Sequence, residues 1–388
     1  MKAVIAGAGI GGLTAALCFD QIGWDVELLE RADTVEEVGA GIQISPNGMK
    51  VMQALGLGEQ IAAAGFRPRA SQIRRGKSGR VLMVSPMGPD MERRYGAPYV
   101  HIHRADLVAI LAEALAERAP GAVNTGCRVT GFDQAGDQAI ARLESGRAIY
   151  GDVLIGADGI RSAIRDQMLG PEQPRFTSNV AWRAVVPTER LGRNVPPPAA
   201  SVWTGDGKHA VTYLLRGGQL ANFVGVVERD DWQKESWTEP GSAEEVLADF
   251  ADWHPIIRTL IEQADVHHRW ALFDRDPLAS WSEGRAVLLG DAAHPMLPFM
   301  AQGAVQAMED AFVLARQIQD STDVAAACAT FFRKRIERVT RVQAAARANM
   351  DLFHQRLPQS PLWLADKIAP SAVERQLDWL YGYDVIKG

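Results

Sequence analysis

Residues 2–30, KAVIAGAGIGGLTAALCFDQIGWDVELLE, decide the fold of this chain. Lys2 to Ala6 is a short apolar run that predicts a buried strand, and Thr14 to Ile22 carries apolar residues at helical spacing. Trp24 to Glu30 predicts a second strand. Two strands joined by a helix form a βαβ unit, and such a unit requires a parallel sheet.

Between the first strand and the helix, Gly7, Gly9 and Gly12 occupy the glycine positions of a GxGxxG motif. The first glycine permits a tight turn, the second lets the backbone approach a pyrophosphate, and the third lets helix and strand pack closely. The helix N-terminus favours phosphate through its amides and its dipole. Glu30 ends the second strand, where a carboxylate accepts hydrogen bonds from both ribose hydroxyls. The motif therefore predicts an unphosphorylated adenosine ribose, and it fits NAD and FAD equally.

Two later segments each place an aspartate after an apolar strand and before a helix. Residues 152–165 read DVLIGADGIRSAIR and contain Asp158, and residues 286–309 read AVLLGDAAHPMLPFMAQGAVQAME and contain Asp291. A single Asp-Gly or Gly-Asp pair more often marks a simple turn. Because open α/β sheets bind ligands beyond the carboxyl ends of their strands, the two pairs in this context predict a binding site.

The composition limits the classes of protein to which the chain can belong. It has 388 residues, 41 Lys and Arg against 47 Asp and Glu, and 47% hydrophobic residues, which exclude disordered and fibrous classes. A formal charge of -6 without a basic block predicts no nucleic-acid partner. No stretch reaches the ~18 apolar residues of a membrane helix, and no signal-peptide pattern is present, so we expect neither membrane insertion nor export.

Cysteine and histidine spacing predicts reduced thiols, a cytoplasmic location and no metal site. Cys18, Cys127 and Cys328 are odd in number and far apart. The histidine pairs at 101 and 103 and at 267 and 268 have no carboxylate or cysteine partners at ligand spacing.

Together, the glycine motif, the Asp-Gly motif at 156–165 and the Gly-Asp motif at 290–291 resemble those of single-component FAD-dependent aromatic hydroxylases. This is the family of the 4-hydroxybenzoate, salicylate and 3-hydroxybenzoate hydroxylases. The strings GDAAHPMLPF and HAVTY are most similar to its salicylate, 3-hydroxybenzoate 6-hydroxylase and 6-hydroxynicotinate branch. The sequence has neither a second GxGxxG motif nor a cysteine pair after the first βαβ unit, which disfavours a glutathione-reductase-like flavoprotein.

The resemblance implies an α/β fold with a Rossmann-like FAD-binding domain, an inserted, mostly antiparallel β-sheet substrate domain and C-terminal helices. Strand-like segments such as VAWRAVVP and LANFVGVVE support the inserted sheet. We expect a discontinuous FAD-binding domain of residues 1–70, 98–174 and 275–350, a substrate domain of residues 71–97 and 175–274, and a helical segment of residues 351–388.

The resemblance also implies FAD as the cofactor, with NADH or NADPH and O2 as co-substrates. Asp291 would bind the ribityl chain, and Asp158 would lie near the pyrophosphate and help the nicotinamide cofactor to dock. The helix that starts near Gly303 would direct its N-terminus at the flavin. The expected FAD-binding residues are Gly7, Gly9, Gly12, Glu30, Arg31, Arg104, Val129, Asp158, Asp291, Gly303 and Ala304.

The substrate is expected to bind at the inserted sheet. A flavin hydroperoxide is electrophilic and attacks an ionised phenol best, so the protein must supply a base and a dry pocket. His209 and Tyr213 lie four apart in a strand and so on one face, where the histidine can take the phenol proton and the tyrosine can hold the substrate. Such residues are often only core residues, and their catalytic assignment rests on the resemblance. The other expected pocket residues are Gln43, Arg183, Pro295 and Pro298.

Two pocket positions depart from the relatives in the resemblance. The hydroxynicotinate hydroxylases carry a histidine at the place of Gln43, and the 3-hydroxybenzoate enzymes carry a glutamine at the place of Pro298. Next to Pro295, His294 is expected to contribute its backbone rather than its side chain.

We expect a monooxygenase that hydroxylates a small phenolic aromatic acid, with a salicylate-like acid first. The alternative substrates are 3-hydroxybenzoate and a heteroaromatic such as a hydroxynicotinate or urate. The alternative from another class is a flavin-binding redox sensor without turnover. We expect a monomer or a homodimer, with no nucleic-acid or membrane partner.

Overall fold

The computed structural model describes residues 1–35, 40–231, 240–354 and 377–387. The helices are α1 (Ile10–Gln21), α2 (Pro46–Ala54), α3 (Gly58–Ala64), α4 (Pro89–Tyr95), α5 (Arg104–Arg118), α6 (Ala163–Leu169), α7 (Ala243–Asp249), α8 (Pro255–Glu262), α9 (Gly303–Gln319) and α10 (Val324–Phe353). The strands are β1 (Lys2–Ala6), β2 (Asp25–Leu29), β3 (Gly41–Ile44), β4 (Ala70–Arg75), β5 (Val81–Pro86), β6 (Val100–His103), β7 (Val123–Asn124), β8 (Val129–Ala135), β9 (Gln138–Leu143), β10 (Ala148–Gly151), β11 (Val153–Gly156), β12 (Arg175–Pro187), β13 (Ala199–Gly205), β14 (Lys208–Leu215), β15 (Leu220–Glu228), β16 (Pro240–Gly241), β17 (His267–Asp274), β18 (Ser282–Glu283) and β19 (Ala286–Leu288).

The N-terminal βαβ unit forms the centre of a six-stranded sheet in the order β18-β19-β11-β1-β2-β7. β1 pairs in parallel with β2 and β11, and β11 pairs in parallel with β19, so the carboxyl ends of these strands share one edge. α1 begins at Ile10, inside the glycine motif, rather than at Thr14. Gly11, in its first turn, packs closely on Leu289, since a Cβ there would lie 3.0 Å from that side chain. The parallel α/β arrangement predicted from residues 2–30 is confirmed.

The chain leaves the first sheet shortly after β7. Gly126 adopts a φ of +63°, and Cys127 donates its backbone N–H to the carbonyl of Glu30. β8 then pairs with β9, and β9 with β10, in a small antiparallel sheet. This turn brings the start of β8 beside the end of β2.

A second large sheet has eight strands in the order β16-β17-β12-β15-β14-β13-β4-β5. Its pairs are antiparallel except β13 with β4, which run parallel. One face packs on α7 and α8 over a core that includes Trp182, Trp203, Phe223 and Phe250. The opposite face lines a cavity. The mostly antiparallel second sheet of the predicted fold class is confirmed, and the domain boundaries stay a prediction.

Two long helices connect the sheets. α9 packs against α1 and α10, and its first residues lie at the cavity. α10 spans 30 residues and contacts both α9 and β13. Within the predicted helical segment 351–388, residues 377–381 are helical, and residues 355–376 lie outside the described residues. No helix in the described ranges is long and apolar enough to cross a membrane.

Candidate active site

A cavity of about 730 Å³ lies between the carboxyl edge of the first sheet and the free face of the second. Gly9 and Asp291 line it at the first sheet, and His209 and Tyr213 line it at the second. The carboxyl edge is where open α/β sheets bind their ligands. One cavity thus borders several of the predicted cofactor residues and all of the predicted substrate residues.

In the glycine loop, two of the three motif glycines have no room for a side chain, whereas the third faces open space. Gly7 has a φ of +98°, and a Cβ there would lie 2.5 Å from the carbonyl oxygen of Ala157. A Cβ on Gly12 would lie 1.8 Å from the carbonyl oxygen of Gly7, so the turn forms only with glycine at both positions. No atom lies within 4 Å of a Cβ built on Gly9. A pyrophosphate can therefore approach the backbone at Gly9, and the loop fits a dinucleotide.

Glu30, which bonds to the glycine loop at Ala8, does not line the cavity, and neither do Arg31 and Val129. The Glu30 carboxylate accepts backbone hydrogen bonds from Ala8 at 2.8 Å and Ala32 at 2.9 Å. These bonds fix the carboxylate, whose oxygens retain lone pairs for a ribose. Arg31 is exposed, and Val129 is half-buried at the start of β8. Their contact with an adenosine stays a prediction.

The Asp-Gly motif borders the cavity through its backbone. Gly159 and Ile160 line the cavity, whereas the Asp158 carboxylate accepts a hydrogen bond from the Ala163 amide at 2.9 Å, at the start of α6. Burial raises the pKa of Asp158. The carboxylate thus stabilises its own turn, and its part in nicotinamide docking stays a prediction. Arg104, the first residue of α5, also lines the cavity.

Asp291, Gly303 and Ala304 line the cavity together. Asp291 is exposed there, and its Oδ1 lies 3.9 Å from the position of a Cβ on Gly303. Gly303 begins α9, whose N-terminus carries partial positive charge. Ala301, just before α9, adopts a φ of +51°, a left-handed conformation that costs a non-glycine residue roughly 1–3 kcal/mol. Such strain concentrates at functional sites.

The cavity face of β14 presents His209, Val211 and Tyr213, because alternate residues of a strand share a face. The Gln43 side chain lies near the Tyr213 hydroxyl and opposes the rise in its pKa that burial causes. Gln43 Oε1 also accepts a hydrogen bond from the Tyr99 hydroxyl at 2.8 Å. These polar groups meet in a cavity whose other walls are mainly apolar.

Arg183 lies on β12 and faces the same cavity. The strand register pairs Arg183 with Val224 of β15 and Val224 with Val211 of β14, so the three residues form one row. Two strand spacings, about 10 Å, separate the backbones of β12 and β14. The Arg183 guanidinium lies 4.0 Å from the ring centroid of Trp270, a cation–π contact that holds it in place. A cation and a histidine thus flank an apolar floor.

Burial keeps the aromatic polar groups of this face neutral. Burial, and to a lesser degree the nearby His354, lowers the pKa of His209 well below its usual value, so its imidazole is neutral. Burial raises the pKa of Tyr213, although Arg183 acts in the opposite direction. Burial also lowers the pKa of His101, which packs on the Tyr213 ring, to about 3.

Pro295 and Pro298 lie in the segment that covers the cavity before α9. The Pro295 carbonyl accepts a hydrogen bond from Gln343 of α10 at 3.0 Å. Pro298 begins a short 3-10 turn and is exposed. The next residue, Phe299, packs edge-on against His209 with ring centroids 5.0 Å apart.

The His294 side chain lies in the core, outside the cavity lining. Its Nε2 lies 2.5 Å from Asp310 Oδ2, and Trp281 packs on its ring. Arg335 donates to Asp310 at 2.7 Å and to Glu309 at 2.6 Å, and all of these charged side chains are buried. His294 therefore belongs to a structural ion-pair cluster.

Sequence reasoning missed His354 and Glu228. His354 Nε2 lies 2.8 Å from His209 Nδ1, and His354 Nδ1 lies 2.7 Å from Glu228 Oε1. The three residues are far apart in sequence, and no local pattern pairs them. Trp379 and Tyr381, near the C-terminus, also line the cavity.

Metal-ligating side chains do not cluster in the part of the chain that the structure describes. No group of three or more His, Cys, Asp or Glu side chains could hold a metal ion there.

Comparison with known proteins identifies the family. Residues 1–347 match the family model described as FAD binding domain. The 3-amino-4-hydroxybenzoate 2-monooxygenase of Streptomyces platensis is 36% identical over 387 residues, covering 99% of this chain and 96% of that protein. The 6-hydroxynicotinate 3-monooxygenase of Bordetella bronchiseptica is 36% identical over 388 residues, covering 99% and 95%.

A solved structure supports the same assignment. Klebsiella pneumoniae HpxO complexed with FAD and uric acid superposes with a TM-score of 0.86 at 29% identity, covering 100% of this chain and 97% of that chain. The chain therefore belongs to the FAD-binding family of flavoprotein aromatic monooxygenases. Its cofactor is FAD, and its co-substrates are NAD(P)H and O2.

Proposed function

We propose that the protein hydroxylates a small aromatic acid whose ring hydroxyl lies opposite its carboxylate. The observation that carries this proposal is the placement of Arg183 and His209 on one face of the second sheet, two strands apart. A ligand that meets both needs its two polar groups at opposite ends of the ring.

Each part of such a ligand has a partner in the cavity. The Arg183 guanidinium can pair with the carboxylate through two parallel hydrogen bonds. Val211 and Val224 provide an apolar floor for the ring between Arg183 and His209. Tyr213, four residues further along the same face of β14, offers a second polar group to the ligand. Both relatives are named for an aromatic acid that carries its hydroxyl para to its carboxylate.

The protein side chains prepare the ring for attack. When bound and reduced by NAD(P)H, FAD supplies an electrophilic oxygen derived from O2. His209, neutral in the cavity, accepts the proton of the ring hydroxyl and leaves an electron-rich phenolate. The apolar walls exclude water from the reacting ring. Arg183 holds the carboxylate at the far end, so that the ring has one orientation.

The test is NADH oxidation by the FAD-loaded protein across a panel of aromatic acids, with product masses. We expect 4-hydroxybenzoate or 6-hydroxynicotinate to stimulate oxidation and product formation more than salicylate does. A salicylate-like acid is the substrate that the sequence alone favours. Salicylate as the best substrate would contradict the spacing argument. Oxidation unaffected by every aromatic would favour the flavin-binding sensor instead.

A matched pair of arginine variants tests the carboxylate contact. Arg183→Met should weaken binding of the acid by roughly 1.5–3 kcal/mol, or about tenfold to a hundredfold, because a charge-assisted hydrogen bond is lost. Arg175 lies on the same strand and pairs with Asp274 outside the cavity. Arg175→Met should leave the apparent KM unchanged. Equal effects of the two variants would remove Arg183 from the site.

A heteroaromatic substrate is the second candidate, and Gln43 favours it. Its amide can both donate and accept hydrogen bonds, which matches the N–C=O edge of a hydroxypyridine or a purine. Gln43→Leu should then raise KM for 6-hydroxynicotinate or urate much more than KM for 4-hydroxybenzoate. Equal changes for both ring types would leave Gln43 without a role in ring recognition.

A further inference from the structure

A hydrogen-bonded chain of three side chains leads from the cavity towards solvent. His209 lines the cavity, and its Nδ1 lies 2.8 Å from Nε2 of His354, whose side chain is fully buried at the end of α10. His354 Nδ1 lies 2.7 Å from Glu228 Oε1 on β15. The Glu228 side chain is 29% exposed, so the chain ends at the surface.

The carboxylate determines the tautomer of both imidazoles. An ionised Glu228 can only accept a hydrogen bond, so the proton of neutral His354 lies on Nδ1. His354 Nε2 is then an acceptor, and His209 must donate to it through Nδ1–H. The remaining ring nitrogen of His209, Nε2, therefore carries the lone pair that a base requires.

We propose that His354 and Glu228 are positioning residues that hold His209 in its base tautomer and carry the substrate proton to solvent. The inference rests on the proposed function, since a ring hydroxyl supplies the proton. The O–H bond of the ring breaks as an N–H bond forms at His209 Nε2. The Nδ1 proton of His209 passes to His354 Nε2, and the Nδ1 proton of His354 passes to Glu228, which releases it to water.

The surroundings of His209 explain why such a relay is needed. Phe299 and Phe353 flank its ring, so an isolated imidazolium there would lack solvation. Lys208, which precedes His209 in the sequence, donates to the Asp249 carbonyl. Arg229, which follows Glu228, donates to Asp231. The His354 carbonyl accepts a hydrogen bond from the Gly207 amide at 3.2 Å, which ties the end of α10 to the sheet. Transfer along the chain avoids a lasting buried charge.

The tautomers can be read without substrate in the FAD-loaded protein. Histidine labelled with nitrogen-15 distinguishes Nδ1–H from Nε2–H by NMR, and His209→Gln and His354→Gln variants assign the two signals among the eight histidines. We expect both residues as Nδ1–H tautomers. Glu228→Gln should shift them towards Nε2–H, since an amide can donate to His354 Nδ1. A wild-type His209 protonated at Nε2 would overturn the proposal.

Proton release gives a second readout. Mixing wild type with 4-hydroxybenzoate in weakly buffered indicator solution should release about one proton for each ligand bound, the proton that a general base removes. Glu228→Gln should reduce this release and the hydroxylated product per NADH by about tenfold or more, as when a catalytic histidine is held in the wrong tautomer. Glu245→Gln, at a half-exposed glutamate paired with Arg269, is the matched control and should behave as wild type.

The two proposals fail in different ways. If wild type hydroxylates an acid but Glu228→Gln gives equal proton release and product, the relay is wrong and the proposed function stands. If no panel acid stimulates NADH oxidation or releases a proton, the proposed function fails, and the relay fails with it.

Discussion

Two buried histidines in this protein each contact a neighbouring polar side chain, and their surroundings give them different roles. His294 pairs with Asp310, and Arg335 completes the cluster with no contact to the cavity. His209 lines the cavity and connects through His354 to the partly exposed Glu228. The chain from His209 ends at a partly exposed carboxylate, whereas the side chains of His294, Asp310 and Arg335 are all buried.

The comparison shows that burial and a hydrogen bond do not make a histidine catalytic. Asp310 is fixed as an anion by Arg335, so the first cluster stabilises the junction of α9 and α10. The second chain joins His209 at the cavity through His354 to the partly exposed Glu228. In the proposed mechanism, position relative to the cavity and to solvent separates the base, His209, from the structural His294.

The largest expected effect comes from His209→Ala. Product formation should fall by about 10²–10⁴, the usual contribution of a positioned general base. FAD binding should be unchanged, and hydrogen peroxide per NADH should rise as product falls. Higher pH should partly restore product, because solvent then ionises the ring hydroxyl. The measurement is product and peroxide per NADH across pH, and an unchanged ratio would place His209 with the structural histidine.

Removing the central cation of the other cluster should act on stability. Arg335→Met leaves Glu309 and Asp310 buried with fewer partners, and the free energy of unfolding should fall by roughly 3–5 kcal/mol. Arg333→Met, at an exposed position on the same helix, is the control and should change it by no more than about 0.5 kcal/mol. Denaturant unfolding of the FAD-loaded proteins gives both values. If Arg335→Met were as stable as wild type but formed less hydroxylated product per NADH, the Asp310 cluster would be the functional one, against this comparison.

Asp291 contrasts with Asp310, since one carboxylate faces the cavity and the other is enclosed. Asp291→Ala should weaken FAD binding by roughly 1.5–3 kcal/mol, about tenfold to a hundredfold, through loss of a charge-assisted hydrogen bond. The control is Asp265→Ala, which removes an exposed surface ion pair with Arg190 and should leave FAD binding unchanged. Titration of the apoproteins with FAD by fluorescence measures the difference, and equal affinities would contradict the assignment of Asp291.

The buried Asp310 carboxylate should make the free energy of unfolding depend on pH in acid. Burial alone would raise the pKa of Asp310, but His294 and Arg335 together lower it to about 2. Because the folded pKa lies below the unfolded one, the contribution of Asp310 is complete above about pH 4 and is lost as pH falls towards 2. The loss should be roughly 2 kcal/mol. Unfolding free energies at several pH values should fall less steeply in Asp310→Asn, and parallel curves would contradict this prediction.

Tyr213→Phe should affect substrate binding and leave coupling intact. Loss of the hydroxyl leaves a buried partner unsatisfied and should weaken the binding free energy of the aromatic acid by roughly 1–3 kcal/mol. The KM for the acid should rise accordingly. The product-to-peroxide ratio should stay near that of wild type, because the base is intact. Tyr150→Phe, at a tyrosine that is 51% exposed, is the control. A large loss of coupling in Tyr213→Phe would assign the tyrosine a direct part in proton transfer.

Local sequence determined much of this protein because the deciding interactions are local. The strand at Lys2–Ala6, the glycine turn and the helix after it follow from apolar spacing and from positions where only glycine closes the turn. The shared face of His209 and Tyr213 follows from the period of two in a strand. The family resemblance carried the assignment of FAD and of the reaction class, which the comparisons with known proteins confirm.

Only the tertiary structure decided which histidine has a route to solvent. His209 and His354 are separated by 145 positions, and they meet because α10 ends against the second sheet. The same packing brings Arg335 to Asp310 and removes His294 from the cavity. The sequence pattern of an amphipathic helix fixes which residues share a face, but the partner of that face depends on how helices and sheets pack, and no periodicity encodes it.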